Sequence, residues 1–278
     1  MAAAASNLVA NQDQRLIVIL MGRPGSGKGT QGKLISQEFK IPHISIGDLY
    51  RAELRDKTLL GTMLENHHKQ HKEAFAANEI AYGILTKRLS QADCKNGFIL
   101  DGIPRIAEQV EVLLSTFVSP RDVCVPLYLN VSNATICDRI AKRCMCPQCG
   151  FQVGAHEKTE FCPKTTCDRV KLTHRVEDVD DSKLKQRLDL FDKEIDGVLK
   201  AFKERKIFKI ETDSTESISC IFSQIKIILI QQLNASMPIK ESKKGFVSTK
   251  ELVGILGPVA AIGFMMGYFF KQNARTTS

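Results

Sequence analysis

The chain has 278 residues, 43% of them apolar and 25% charged, the balance of a folded protein and not of a tail or a coil. Its formal net charge of +8 is scattered along the whole length with no aromatic-rich basic patch, which points away from nucleic acid and towards anionic nucleotides or an anionic membrane face. Nine cysteines with no basic and apolar leader ahead of them point to a reducing compartment and thiols, not to a secreted disulfide framework.

Residues 1–14 read as a short disordered leader. Residues 15–21 (RLIVILM) form an apolar, β-branched run ending at Gly22, the expected form of a buried parallel strand. It feeds Gly22-Arg-Pro-Gly-Ser-Gly-Lys28-Gly-Thr30, and a helix is expected over 30–39. Glycines at Gly22, Gly25, Gly27 and Gly29 let the backbone turn with its N–H groups inward, the helix adds its positive N-terminal end, and Lys28 supplies a mobile ammonium. Such a loop cradles phosphates. Ser26 and Thr30 place hydroxyls in it, Thr30 near Mg²⁺ or an α-phosphate, although Gly29 falls where the commonest pattern has Ser or Thr directly after the lysine.

A second strand and turn are expected over 41–48, helices over 49–64 and 78–91, and a third strand over 97–101 that ends on Asp101. A carboxylate at that strand end lies beside the phosphate loop, where it can hold Mg²⁺ through water. Arg105 follows a short turn later, after Gly102. A fourth strand is expected over 123–129, a late helix over 181–203, a fifth strand over 206–210 and a closing helix over 218–233. Strands alternating with helices predict an α/β fold, a parallel five-stranded sheet flanked by helices, with ligands at the strand C-termini.

The Cys-, Gly- and Pro-rich stretch 144–174 has little periodicity and reads as an inserted small domain. Cys146-Pro-Gln-Cys149 and Cys162-Pro-Lys-Thr-Thr-Cys167 give two close pairs that suit a structural tetrahedral Zn²⁺ site, with Cys144 or His174 as substitute ligands. Arg139, Arg143, Arg175 and Arg187 flank the insertion, and a fork of guanidinium groups is what a transferring phosphoryl group needs around it. His67, His68 and His71 read as a solvated helix face rather than a metal site. Residues 234–250 form a polar linker. Residues 252–270 (LVGILGPVAAIGFMMGYFF) carry no charge and, as a helix, reach about 28 Å, which predicts a transmembrane helix over 251–271 and a polar tail over 272–278.

The phosphate loop, Ile44-Ser-Ile-Gly-Asp-Leu-Tyr-Arg51, the stretch from Asp93 through Asp101-Gly-Ile-Pro-Arg105 to Gln109, Asp138-Arg-Ile-Ala-Lys-Arg143 and Arg175-Val-Glu-Asp178 together resemble adenylate kinases of the long-lid form, over about residues 15–233. The resemblance implies a P-loop nucleoside monophosphate kinase fold with an acceptor-binding region at 45–78 and a lid at 144–174. It implies reversible phosphoryl transfer from ATP with Mg²⁺ to AMP, giving two ADP. Gly25 to Thr30, Arg139 and Arg143 would then hold ATP. Lys28 would bridge its β- and γ-phosphates, and Asp101 would serve the metal. Ile46, Arg51, Gly102, Arg105, Gln109, Arg175 and Arg187 would line the AMP site, with Gln109 on the base. Arg143, Arg175 and Arg187 would close on the phosphates with the lid, and zinc-bearing lids occur among relatives.

Five departures concern the acceptor and the lid hinge, one of them a spacing from Arg175 to Arg187 that is one residue longer than the family's. Ile46 stands where the family usually has Thr, the stretch 73–79 lacks the family's glycine, Ile103 replaces Phe, and Glu177 replaces the first of two aspartates. The alternatives are therefore another monophosphate acceptor, GTP as donor, or a membrane-docked nucleotide-binding protein with little activity. The enzyme is expected as a monomer, with Gly263 and Gly267 a weak signal for helix dimerisation. A single C-terminal anchor leaves the catalytic domain in the cytosol, and its flanking basic residues lean towards the mitochondrial outer membrane.

Overall fold

The computed structural model describes residues 14–71, 76–154, 159–174, 178, 180–202, 205–212 and 216–236, all within one unit spanning 2–236. The leader up to residue 13, the linker beyond 236 and the expected transmembrane span 251–271 lie outside the described residues.

Five strands form one parallel sheet: β1 (Leu16–Met21), β2 (His43–Ser45), β3 (Gly97–Asp101), β4 (Val123–Val131) and β8 (Phe208–Thr212), in the order β2-β3-β1-β4-β8. Every pairing in it is parallel, as the alternation of strands and helices predicts. All six residues of β1 and all five of β3 are buried, which is why both read as unbroken apolar runs instead of alternating ones.

Successive β1 residues feed two cores. Ile17, Ile19 and Met21 join Phe98, Leu100, Ile84 and Phe202 on one face, while Leu16, Val18 and Leu20 join Ile35, Phe39, Ile225 and Leu229 on the other. Helix α1 (Lys28–Phe39) and the closing helix α8 (Ile218–Ser236) cover the second face. The first is covered by α2 (Ile46–Arg55), α3 (Leu59–Gln70), α4 (Asn78–Leu89), α5 (Ala107–Phe117) and α7 (Asp181–Ala201). A Leu or Ile fully buried here contributes roughly 1.5–3 kcal/mol, so the sheet is a stiff base for the loops at its C-terminal edge.

Several boundaries differ from the sequence reading for local reasons. Residues 46–48 open α2 instead of ending a strand, because the Ser45 hydroxyl accepts the Asp48 N–H and caps the helix. The helix expected over 49–64 breaks at Lys57, whose φ is 49°, and restarts with Thr58 capping Gly61. Helices α5 and α6 (Asn133–Ala141) stand where the sequence analysis assigns no element.

The insertion forms a small antiparallel sheet of β5 (Cys144–Met145), β6 (Gln152–Val153) and β7 (Thr173–His174), ordered β6-β5-β7. Among the described residues, α8 is the helix long and apolar enough to cross a membrane. It buries Ile221, Ile225, Leu229 and Leu233 at four-residue spacing against the sheet, so its apolar stripe belongs to the core.

Candidate active site

A cavity of about 1370 Å³ opens at the C-terminal edge of the sheet, between the phosphate loop, α2, Arg105 and the lid. Gly22, Gly25, Ser26, Gly27, Lys28, Gly29 and Thr30 line it along the phosphate loop. The glycines are required by shape. A Cβ on Gly22 would lie 2.6 Å from the Leu129 carbonyl oxygen, and Gly25 and Gly27 hold φ of 82° and 96°. Gly27 precedes α1 without a side-chain cap, and the first turn contains no acid. The helix N-terminus therefore presents N–H donors and positive potential to the cavity.

Lys28 folds back over its own loop. Its Nζ donates to Gly22 O at 2.7 Å, Arg23 O at 2.8 Å and Ser26 Oγ at 3.4 Å. Burial brings the ammonium down to about 8; Asp101 opposes that shift, and the charges of Arg143, Arg105 and Arg187 add to it.

Asp101 ends β3 facing the same loop, with His43 Nε2 at 3.2 Å from its Oδ2. Burial pushes its carboxyl up, but the His43 hydrogen bond and the charges of Lys28, His43 and Arg105 outweigh burial and hold it below its ordinary value. Arg105 donates from Nε to Gly102 O at 2.7 Å, and burial lowers its guanidinium pKa. Both Gly102 and Arg105 are on the cavity wall, as is Arg51, which is paired with Asp48.

The two groups expected near the acceptor base are placed differently. Ile46 is 1% exposed in the core and Gln109 is 2% exposed; neither side chain is on the cavity wall. The Gln109 oxygen accepts the Arg105 backbone N–H at 2.7 Å, and its nitrogen donates to Asn78 Oδ1 at 2.9 Å. Gln109 therefore braces the Arg105 loop from behind.

On the lid side, Arg139 reaches Ser26 O at 3.5 Å. Arg143 forks onto Asp178 with contacts of 2.8 and 2.7 Å, and Arg187 reaches the same carboxylate at 3.2 Å. The Asp178 side chain is only 2% exposed. One carboxylate thus holds both guanidinium groups at the cavity edge. Arg175 lies outside the described residues. Lid residue Gln152 donates to Asp48 at 2.9 Å and accepts from Lys33 at 3.4 Å, so the lid hairpin spans from α1 to α2.

Cys146, Cys149, Cys162 and Cys167 bring their sulfurs within 4.8 Å of one another. Four thiolates on a zinc ion at about 2.3 Å stand ~3.8 Å apart, so the cluster fits a lid zinc site. Gly150, with φ of 71°, turns the first knuckle, and Asp168 and Arg169, also at positive φ, turn the looser second one. Burial pushes the Cys149 thiol up, but the Phe151 N–H and the neighbouring thiols outweigh it and bring the thiol down to about 7. Cys144 and His174 lie 3.8 Å from each other and outside the group of four.

Sequence reasoning assigned no role to Asp178, His43, Gln152 or His68. Asp178 was visible only as the last residue of a motif. His68, read as solvated helix face, is exposed but opens onto the cavity, which the helix pattern alone does not reveal.

The lowered Lys28 value has a measurable consequence. At pH 8.5 this side chain is mostly neutral without nucleotide, and the charge of a triphosphate beside it would return it to the charged form. Titration calorimetry in buffers of differing ionisation enthalpy is expected to show uptake of more than about half a proton on triphosphate binding at pH 8.5, and almost none at pH 7. Lys28→Met removes the uptake. Equal proton counts at both pH values would contradict the electrostatic account.

The family model described as adenylate kinase matches residues 20–207. An adenylate kinase of Clostridium acetobutylicum is 35% identical over 218 residues, which is 76% of this chain and 98% of the relative. One from Clostridium botulinum is 37% identical over 220 residues, 76% and 97% of the two chains, and one from Clostridium kluyveri is 36% identical over 219 residues with the same shares. With a phosphate loop, a strand-end aspartate and a cysteine lid around one basic cavity, the chain belongs to the adenylate kinase family and is a nucleoside monophosphate kinase, a phosphotransferase.

Proposed function

We propose that the chain transfers a phosphoryl group reversibly from ATP to AMP, giving two ADP, and that one observation carries this reading. A single cavity is lined by an uncapped helix N-terminus with Lys28, by Arg51 and Arg105, and by the Arg143 and Arg187 side chains that share Asp178. In this reading Gly25 to Thr30 hold the triphosphate, Lys28 leaves its carbonyl partners for the β- and γ-phosphates, and Arg139 covers the donor base. Arg51 and Arg105 hold the monophosphate. Arg143 and Arg187 leave Asp178 and, with Arg175, neutralise the oxygens of the group in transfer. No covalent step is required of the protein, which supplies alignment and charge, and the closed lid keeps water from the phosphoryl group.

Magnesium would enter with ATP, where it neutralises phosphate charge. Asp101, kept ionised by His43 and Lys28, and the Thr30 hydroxyl are the residues on the cavity wall suited to hold its water shell. Zinc on the four lid cysteines would be structural, since a closed four-sulfur shell leaves no open position for chemistry. A different acceptor monophosphate is the second reading, supported by the absence of Ile46 and Gln109 from the cavity wall.

The full chain, given ATP, Mg²⁺ and a panel of monophosphates, is expected to form two ADP for each AMP consumed and to prefer AMP. ATP binding without turnover on any monophosphate would sink the reading. Repeating the assay after zinc chelation is expected to lower the melting temperature by at least about 5 °C, the scale of a lost structural metal in a domain of this size. Unchanged melting, with no zinc in the untreated protein, would rule the metal out.

The uncharged run at 252–270 supports a C-terminal membrane anchor that leaves the catalytic domain in the cytosol, with the mitochondrial outer membrane as the favoured surface. Residues 235–278 fused to a fluorescent protein are expected on membranes, and diffuse fluorescence would end the idea.

A further inference from the structure

One residue of the phosphate loop is not on the cavity wall. Arg23, between Gly22 and Pro24, sends its side chain to α7, where Nε donates to Asp192 Oδ1 at 2.7 Å, and Nη1 donates to Val131 O at 3.3 Å. Its own carbonyl oxygen accepts the Lys28 ammonium at 2.8 Å. The same residue therefore meets α7 and the end of β4 with its side chain, and the loop's lysine with its backbone.

The helix it reaches is the one that carries Arg187. Asp192 lies five residues further along α7, about 7.5 Å along the axis, and Arg187, Leu190 and Phe191 are on the cavity wall. This half of α7 is lightly packed. None of residues 182–197 is buried, and the helix first enters the core at Val198. Leu184 and Leu188 pack on Val131, Ile136 and Ile140, and Phe191 stacks on Tyr128 with centroids 6.4 Å apart. Apolar contacts are non-directional and leave the helix free to rock. A charge-assisted hydrogen bond fixes both distance and direction.

We propose that Arg23 is a positioning residue of the phosphoryl transfer, its side chain pinning α7 through Asp192 so that Arg187 stands in a set place relative to Lys28. After burial, the charge of Arg187 is among those that lower the Lys28 ammonium, so the two cations already share one field. Their offset matters because both act on one triphosphate, and a displacement of about 1 Å can cost a hundredfold in rate. Arg23 is not itself placed as a phosphate ligand, since its Nε is held by Asp192 outside the cavity wall. Nor is the pair a strong source of stability. Its side chains are 22% and 40% exposed, and such pairs contribute little to folding.

The inference rests on the phosphoryl-transfer reading, and the experiment keeps the two apart. In the full chain with ATP, Mg²⁺ and AMP, Arg23→Gln and Asp192→Asn are each expected to lower kcat about tenfold, with both KM values within about threefold. The double variant is no slower than either single one, and the charge swap, Arg23→Asp with Asp192→Arg, recovers at least about a third of the wild-type kcat. Melting temperatures stay within about 4 °C of the wild type. Arg88→Gln, which breaks an ion pair of the same 2.7 Å length with Asp93, keeps kcat within about twofold.

If the wild type turns over no monophosphate, the functional reading fails and takes the inference with it. If it does turn over, then unchanged kcat in the single variants, or losses that multiply in the double one, overturns the inference alone. A fall in kcat matched by a collapse in melting temperature and not recovered by the swap does the same, since that is the pattern of a purely structural contact. Should Arg23→Gln fail to fold, Asp192→Asn, at an exposed position that leaves the phosphate loop untouched, decides on the same kcat criterion.

Discussion

Concentrating positive charge around a half-enclosed cavity is the constraint on which the rest of this structure depends. Lys28, Arg105, Arg143 and Arg187 lie close enough for each of the arginines to depress the Lys28 ammonium. Such a cluster repels itself unless carboxylates or backbone oxygens compensate it. Asp101 does so from the strand side, Asp178 from the lid side, and the carbonyls of Gly22 and Arg23 hold Lys28. Under the proposed function, the oxygens of a polyphosphate would take over from the Gly22 and Arg23 carbonyls and from Asp178.

The fold supplies what that exchange needs. Buried β1 and β3 fix the phosphate loop and Asp101 at one sheet edge, while glycine conformations at Gly22, Gly25 and Gly27 let the backbone approach without a Cβ in the way. Across the cavity, Asp48 bonds both Arg51 on its own helix and Gln152 on the lid. One carboxylate therefore links Arg51 to Gln152 of the insertion, so a ligand that drew Arg51 away would change what Gln152 meets. The cysteine cluster, with its three short strands, gives the lid a small core of its own, which an insertion of this length could not assemble from apolar residues alone.

The parts of the site written in local chemistry were legible in the sequence. A glycine-rich turn between an apolar run and a helix has few physical uses, and a strand ending on Asp101 places its carboxylate by direction alone. The four zinc-fitting cysteines were legible from their pairing despite the longer second spacing. The bracing contact of Gln109 was not, because its partner Asn78 is 31 residues away and only the shared core on that face of the sheet brings them together. His68 was not, because the face a helix turns to a cavity is set by what packs on its other side. Ser45 and Thr58 carried the true starts of α2 and α3 as capping signals, overridden in the reading by the apolar pattern around them.

The central claim, that one continuous basic cavity binds donor and acceptor phosphates end to end, is tested most directly by calorimetric titration with two adenosines joined through five phosphates. Joining the two halves makes the second contact intramolecular. The account predicts one molecule per chain, affinity at least about a hundredfold above that for ATP, and competition against both ATP and AMP. Binding no tighter than ATP, or displaced by ATP but untouched by AMP, would contradict it.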